Sequence, residues 1–310
     1  MEEHTEASLI HIGYHKTGTT FFQKNLYPMV KNADYIDRRV IQKDLLAKRP
    51  FYFSVDKFVE KIKTISTNRF IICDEDISGN IFSGGLYGCF SKEMGLRLHT
   101  SFPRAHIIIF IRNQISMIAS VYAFYVKGGG TENINRFLFS GESNYVAPSF
   151  SFAHFDYKSL VDFYQKLFGQ DNVHVFCYED FAQNNYLFLK RYVAQFNLDI
   201  DIEKVELSIV NAGINDTALR LRRWTNLFYK KGALPKRYII HIPWFVDKIN
   251  GLIARYSSLT GKSHLHNEAI LGASNIKYIH EFFPESNRAL ASIVDLPLSQ
   301  YGYPGFTNDY

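Results

Sequence analysis

Ser8-Leu9-Ile10-His11-Ile12-Gly13-Tyr14-His15-Lys16-Thr17-Gly18-Thr19-Thr20-Phe21-Phe22 is the stretch that decides how this chain reads. Its first part is a short β-prone run that stops at Gly13. After Thr20, Phe21, Phe22, Leu26 and Val30 recur at roughly helical spacing as far as the Pro28 region. The order is therefore strand, glycine-bounded loop, helix. A loop at a helix start is an anion site by construction, because the first backbone N–H groups are unpaired and the helix dipole is positive there. Lys16 adds a full charge. The plainer alternative is a Gly/Thr turn whose threonines cap the helix.

The position of the lysine narrows the ligand. A nucleotide-hydrolase loop reads G-x-x-x-x-G-K-[ST], with lysine after the second glycine and a hydroxyl behind it for Mg²⁺. Here lysine precedes the second glycine, in G-x-x-K-T-G-T-T, and no metal-coordinating partner is evident.

Three more β-prone runs follow, at Phe70–Cys73, His106–Ile111 and Val173–Cys177, with gaps long enough for crossover helices. That pattern predicts an α/β fold, a mainly parallel sheet flanked by helices on both faces. Ligands in such sheets bind at the carboxyl ends of the strands. Lys158–Phe168 and Tyr186–Phe196 read as amphipathic helices, and 128–148 reads as a surface loop or lid. One domain over 1–310 is expected, with a helical cap over 212–285.

His106-Ile107-Ile108-Ile109-Phe110-Ile111 is apolar enough to be buried on both faces, and it delivers Arg112 to its end. Ser116 and Ser120 then share a face of the following helix. An arginine fork at a strand end and a serine two turns into the next helix can pinch one phosphate between them.

The two stretches together resemble the sulfotransferases that use 3′-phosphoadenosine 5′-phosphosulfate (PAPS). Lys16-Thr17-Gly18-Thr19-Thr20 followed by Phe21 is similar, position by position, to their K-[ST]-G-T-[ST] loop for the 5′-phosphosulfate. Arg112 and Ser120 stand eight residues apart, like the family's 3′-phosphate pair, with Gln114 where proline is usual. Val175-Phe176-Cys177-Tyr178-Glu179-Asp180-Phe181 resembles a further family segment, and Phe282 to Asn287 and Tyr301-Gly302-Tyr303-Pro304 look like the endings of bacterial members. The resemblance implies a P-loop NTPase-like sulfotransferase fold and transfer of a sulfuryl group from PAPS to an acceptor hydroxyl, on a carbohydrate or glycolipid. Lys16 then stabilises charge on the leaving phosphate. Thr17, Gly18, Thr19 and Thr20 hold the 5′-phosphate, and Phe21 either stacks on adenine or packs in the core. No metal is required.

For the base, Asp74-Glu75-Asp76 ends the second β-prone run, and crowding of like charges raises a carboxylate pKa. Glu75 is the first choice, Asp74 and Asp76 are alternates, and His15 and His154 are further candidates. The other description of this segment is a solvated acidic turn capping a helix at Ser78. Two competing functions remain open: a P-loop phosphotransferase and a non-catalytic nucleotide-binding module.

The 310 residues, 46% hydrophobic and 16% aromatic, are sufficient for a substantial core. A net charge of +5 suits an anionic cofactor and gives no case for nucleic acid. Cys73, Cys89 and Cys177 have neither disulfide nor metal spacing, which favours a reducing compartment. The acidic start Met1-Glu2-Glu3-His4 and the absence of a long apolar run predict no signal peptide and no span, hence a cytoplasmic protein. Leu219 to Tyr256 is basic and aromatic, with Arg220, Arg222, Arg223, Trp224, Phe228, Tyr229, Lys230, Lys231, Lys236, Arg237, Trp244 and Phe245. It reads as a solvated helical face, or as a region meeting an anionic glycan, lipid-linked sugar or membrane surface. His264 and His266 suggest a metal only weakly, since no matching ligand spacing follows.

Overall fold

The computed structural model describes residues 7–82, 88–139, 148–207, 216–229, 238–259 and 267–306. The chain divides into two compact units. The first comprises Met1–Arg112, Ser151–Val210 and Phe283–Thr307, and the second Asn113–Phe150, Asn211–Phe282 and Asn308–Tyr310.

The first unit holds five strands: β1 (Leu9–His11), β2 (Asp34–Tyr35), β3 (Phe70–Cys73), β4 (His106–Ile111) and β5 (Val173–Cys177). All pair in parallel, in the order β2-β3-β1-β4-β5. β1 is central, with His11 in register with Cys73 on one side and Ile108 on the other. The chain builds β3 and β2 to one side of β1 and β4 and β5 to the other, so the end of β1 is the topological switch point.

β4 is buried along nearly its whole length, and Ile107 through Ile111 are fully buried. Alternate strand residues face opposite sides, so both faces are covered. Ile108 and Phe110 join a core with Phe22, Leu26, Phe188 and Tyr192, which brings the helical run after β1 and the Asn185–Gln195 helix onto one face. On the other, the Tyr157–Phe168 helix packs on β4 and β5, and the Cys89–Ser101 helix packs on it in turn. Each aliphatic side chain removed from water this way contributes about 2 kcal/mol. This is the α/β architecture expected, a parallel sheet with helices on both faces. β1 ends one residue earlier than its apolar run, at His11, although the Ile12 amide still donates to the Ile108 carbonyl at 3.0 Å.

The second unit is helical among its described residues: Gln114–Lys127, Ile134–Leu138, Asp216–Thr225, Pro243–Leu259, Asn267–Leu271 and Ala273–Phe282. The expectation of a loop over 128–148 needs correcting. Asn133 caps the Ile134–Leu138 helix, Phe137 is fully buried against Tyr125, and the Tyr125 hydroxyl accepts the amides of Thr131 and Glu132. A Gly- and Asn-rich composition concealed a short capped helix. Residues 140–147, like Lys230, Lys231, Lys236, Arg237, His264, His266 and the first six residues, lie outside the described residues.

Candidate active site

The carboxyl ends of β1, β3 and β4 are neighbours in the sheet, and each carries one of the segments singled out in the sequence. After β1 the chain crosses the face of His11 so closely that a Cβ on Gly13 would lie 2.8 Å from His11 Nε2. Gly13 is therefore required by contact. The Tyr14 amide donates to the Phe110 carbonyl, and Tyr14 itself is buried among His154, Phe155 and Tyr157. Lys16 and Gly18 both adopt the left-handed region, at φ 67° and 89°. A Cβ on Gly18 would also press on the Phe181 ring at 3.2 Å.

The helix begins at Thr19. It is α-helical over Thr19–Phe21, π-helical over Phe22–Leu26 and 3-10 over Tyr27–Met29, so the expected helix up to Pro28 is present in three windings. Its N-cap is Gly18, which supplies no side chain, and no threonine takes the role. Thr17 Oγ1 donates instead to the Tyr14 carbonyl, tying the loop to itself. Thr19 Oγ1 is buried and has no hydrogen-bond partner. Phe21 packs in the core, with its ring centroid 5.6 Å from Phe22 and 5.1 Å from Phe181. The uncapped first turn and the orphaned Thr19 hydroxyl are what an anion-binding loop requires. They fit a ligand that brings several acceptor oxygens.

Arg112 follows β4. Its Nη1 donates to the Lys16 carbonyl at 3.0 Å, its guanidinium lies 4.8 Å from the Tyr178 ring centroid, and its own carbonyl accepts the Tyr157 hydroxyl at 2.6 Å. Cation–π contact and a carbonyl acceptor thus orient the fork beside the loop. In the second unit, Asn113 caps the Gln114–Lys127 helix by accepting the Ile115 amide, and Gln114 is fully buried. Ser116 donates back to the Asn113 carbonyl, and Ser120 is buried one turn on.

The acidic turn after β3 is a 3-10 turn, Glu75–Ser78, capped by Asp74 through the Asp76 amide. Its central partner, Arg38, carries no local signal that sequence reading could have found. That guanidinium bonds Asp74 at 2.8 and 3.2 Å and pairs with Glu75 and Asp76, each at 3.1 Å. Arg38 starts a helix 36 residues earlier in the chain, just past β2, and a strand of only two residues offers no pattern to find. Gln23, from the π-helical turn, donates to Glu75 Oε2 at 2.8 Å. His15, inside the loop, places Nε2 2.9 Å from Asp76 Oδ1, while its Nδ1 is buried without a partner.

These contacts change the electrostatic account. Burial pushes Asp74 up, prevailing over the Arg38 hydrogen bonds, and repulsion from Glu75 comes last among the causes. Like-charge crowding is therefore a minor effect, because Arg38 sits among the three carboxylates. The His15 hydrogen bond, with Arg38, holds Asp76 below the usual carboxylate range. Burial, with the nearby charge of His15, lowers His154 to about 3, too weak a base to take a hydroxyl proton near neutral pH.

Residues 175–181, 283–287 and 301–304 belong to the first unit, and Phe282 to the second. Tyr303 is fully buried and reaches Glu179 Oε2 at 3.1 Å through its hydroxyl. Buried Asn287 donates to the Pro304 carbonyl, and Ser286 bonds Asp156.

No family model matches the chain, and no curated protein matches it in sequence. Solved structures are similar in chain path. One is the crystal structure of a sulfotransferase from Alicyclobacillus acidocaldarius, 16% identical over 66% of this chain and 86% of that one, with a TM-score of 0.48. Another is mouse sulfotransferase SULT7A1 complexed with PAP, 15% identical over 93% of this chain and 83% of that one, with a TM-score of 0.40.

Proposed function

We propose that this chain moves a sulfuryl group from PAPS to an acceptor hydroxyl and releases adenosine 3′,5′-bisphosphate. The observation that carries the proposal is the start of the helix at Thr19: an uncapped first turn, a buried Thr19 hydroxyl with no protein partner, and Lys16 before the glycine. In this reading Thr17 to Thr20 hold the 5′-phosphate through backbone amides and hydroxyls. Arg112, with Ser120 by its eight-residue separation, takes the 3′-phosphate.

The acceptor oxygen attacks sulfur, the bond from sulfur to the bridging oxygen breaks, and the electron pair passes to the 5′-phosphate. Lys16 stabilises that growing charge. The hydroxyl proton goes to a base, for which Glu75 is proposed. His15, fixed by Asp76 with Nδ1 unpartnered, is the alternative. The acceptor is proposed as a carbohydrate or glycolipid on the family resemblance alone. Cys73, Cys89 and Cys177 are unpaired, and a reducing, cytoplasmic setting is proposed with them.

Thermal stability tests the donor. Adenosine 3′,5′-bisphosphate at 100 times its Kd should stabilise the protein by about 2.7 kcal/mol, and ATP with Mg²⁺ should do much less. Stabilisation by ATP–Mg²⁺ alone would replace this reading with a phosphotransferase. Bisphosphate binding without transfer to any hydroxyl acceptor from labelled PAPS would leave a binding module.

A further inference from the structure

The positive charge of this protein is not spread over it. Between Leu219 and Tyr256 there are nine lysines and arginines and one acidic residue, Asp247, so that stretch is +8. Against a total of +5, the rest of the chain is −3. Four of those cations, Lys230, Lys231, Lys236 and Arg237, enter here only as sequence charges. Of the five described ones, Arg220, Arg222 and Arg223 lie on the Asp216–Thr225 helix and Lys248 and Arg255 on the Pro243–Leu259 helix.

The same stretch exposes large apolar side chains. Ile239 is 71% exposed, Trp244 70%, Leu252 56%, Ile240 52% and Trp224 48%. Within the second unit the two tryptophans are joined by a chain of ring contacts. Trp224 packs edge-on to Phe228 at 4.9 Å, Phe228 lies 6.0 Å from Phe245, and Phe245 lies 6.1 Å from Trp244. The backbone holds the flanking segment in place, since the Ile239 amide donates to the Leu227 carbonyl at 2.7 Å and the Ile242 amide to Phe228 at 2.9 Å.

We infer that this surface docks peripherally on an anionic lipid bilayer. Contiguous exposed apolar area marks an interaction site, and the charge selects the partner. A second copy would set like charge against like charge. A polyanionic glycan would satisfy the cations and could stack on tryptophan, but Ile239, Ile240 and Leu252 offer a sugar no hydrogen bond and would stay in water. A bilayer satisfies both kinds of residue, with aliphatic side chains in the acyl boundary, tryptophans at the headgroup level, and lysine and arginine reaching the phosphates. Among the described residues no helix is long and apolar enough to cross a membrane, and the contact inferred is with its surface. The inference is independent of the transferase reading.

The chain carries its own probe, because its two tryptophans, Trp224 and Trp244, both lie on this surface. Vesicles of phosphatidylglycerol and phosphatidylcholine should shift tryptophan emission to shorter wavelength and float the protein at low salt. Pure phosphatidylcholine vesicles should do neither. Ile239→Ser with Trp244→Ala should cut the floated fraction at least tenfold, leaving thermal stability and bisphosphate binding unchanged, and Leu252→Ser should weaken flotation separately. The inference is overturned if emission does not move with anionic vesicles. It is also overturned if the double variant floats like the parent, or if soluble heparin shifts emission and vesicles do not.

Discussion

Arg112 Nη1 donates to the main-chain carbonyl of Lys16 across 3.0 Å, joining residues 96 positions apart in sequence. The arginine proposed for the 3′-phosphate therefore also braces the loop proposed for the 5′-phosphate. Arg112→Ala is expected to raise the dissociation constant for adenosine 3′,5′-bisphosphate at least tenfold. Arg112→Lys should restore little of it, because an ammonium reproduces neither the fork nor the stacking on Tyr178. Calorimetric titration measures both, and parent-like affinity in either variant would remove Arg112 from the site.

Lys16 is held in the left-handed region, which costs a residue with a Cβ about 1–2 kcal/mol. Lys16→Ala and Lys16→Gly should both lower transfer by about 100-fold or more. They should differ in stability, the glycine variant being about 1 kcal/mol more stable than the alanine one because only glycine adopts this conformation without strain. Urea denaturation of the pair gives the difference, and equal stability would mean that the loop relaxes on substitution.

Glu75 and His15 are separated by kinetics. If Glu75 takes the proton, Glu75→Gln lowers kcat by about 100-fold or more, and bisphosphate affinity stays near that of the parent. His15→Asn should then act weakly. The reverse ranking, accompanied by loss of the lower limb of the pH–rate profile in His15→Asn, would assign the proton to the imidazole that Asp76 orients.

Arg38→Ala leaves Asp74 fully buried without its counter-ion. Breaking a buried pair on one side costs about 3 kcal/mol, so the urea midpoint should fall sharply. A change below about 1 kcal/mol would show that Asp74 takes up a proton and stays inside at little cost.

His11 and His154 are buried neutral, each lowered to about 3 by burial. Unfolding returns them to about 6.5. Their folded pKa is depressed, so below 6.5 the unfolded chain binds protons that the native state refuses. Stability is therefore full above pH 6.5 and falls as pH drops from 6.5 toward 3, by up to about 1.4 kcal/mol per pH unit for each imidazole. Melting temperature measured from pH 7.5 to 4.5 should show this decline, and His154→Gln should flatten it. Asp76, lowered by His15, adds its own loss only below 3.8.

Much of this architecture was legible in the residues. Phe70–Cys73, His106–Ile111 and Val173–Cys177 match their strands end to end, because continuous apolar runs leave little choice of boundary. The Asn185–Gln195 and Tyr157–Phe168 helices begin one residue ahead of their expected starts, where Asn184 and Asp156 cap them by accepting backbone amides. β2 was not legible, since Asp34–Tyr35 is two residues long, and with it went Arg38. The partnerships Arg38–Asp74, Gln23–Glu75 and His15–Asp76 span 36, 52 and 61 residues. Local pattern carries no trace of such pairings, although each carboxylate was visible as a carboxylate.

β1, β3 and β4 are adjacent in space and far apart along the chain, and the loop, the acidic turn and Arg112 each extend one of them. Pairings of such long range close slowly and late. In the proposed assignment the loop after β1 takes one phosphate and Arg112 after β4 the other, so competence to bind the bisphosphate should appear only when these strands have joined. Followed during refolding, bisphosphate binding would time the completion of the sheet, lagging behind helix formation measured by circular dichroism.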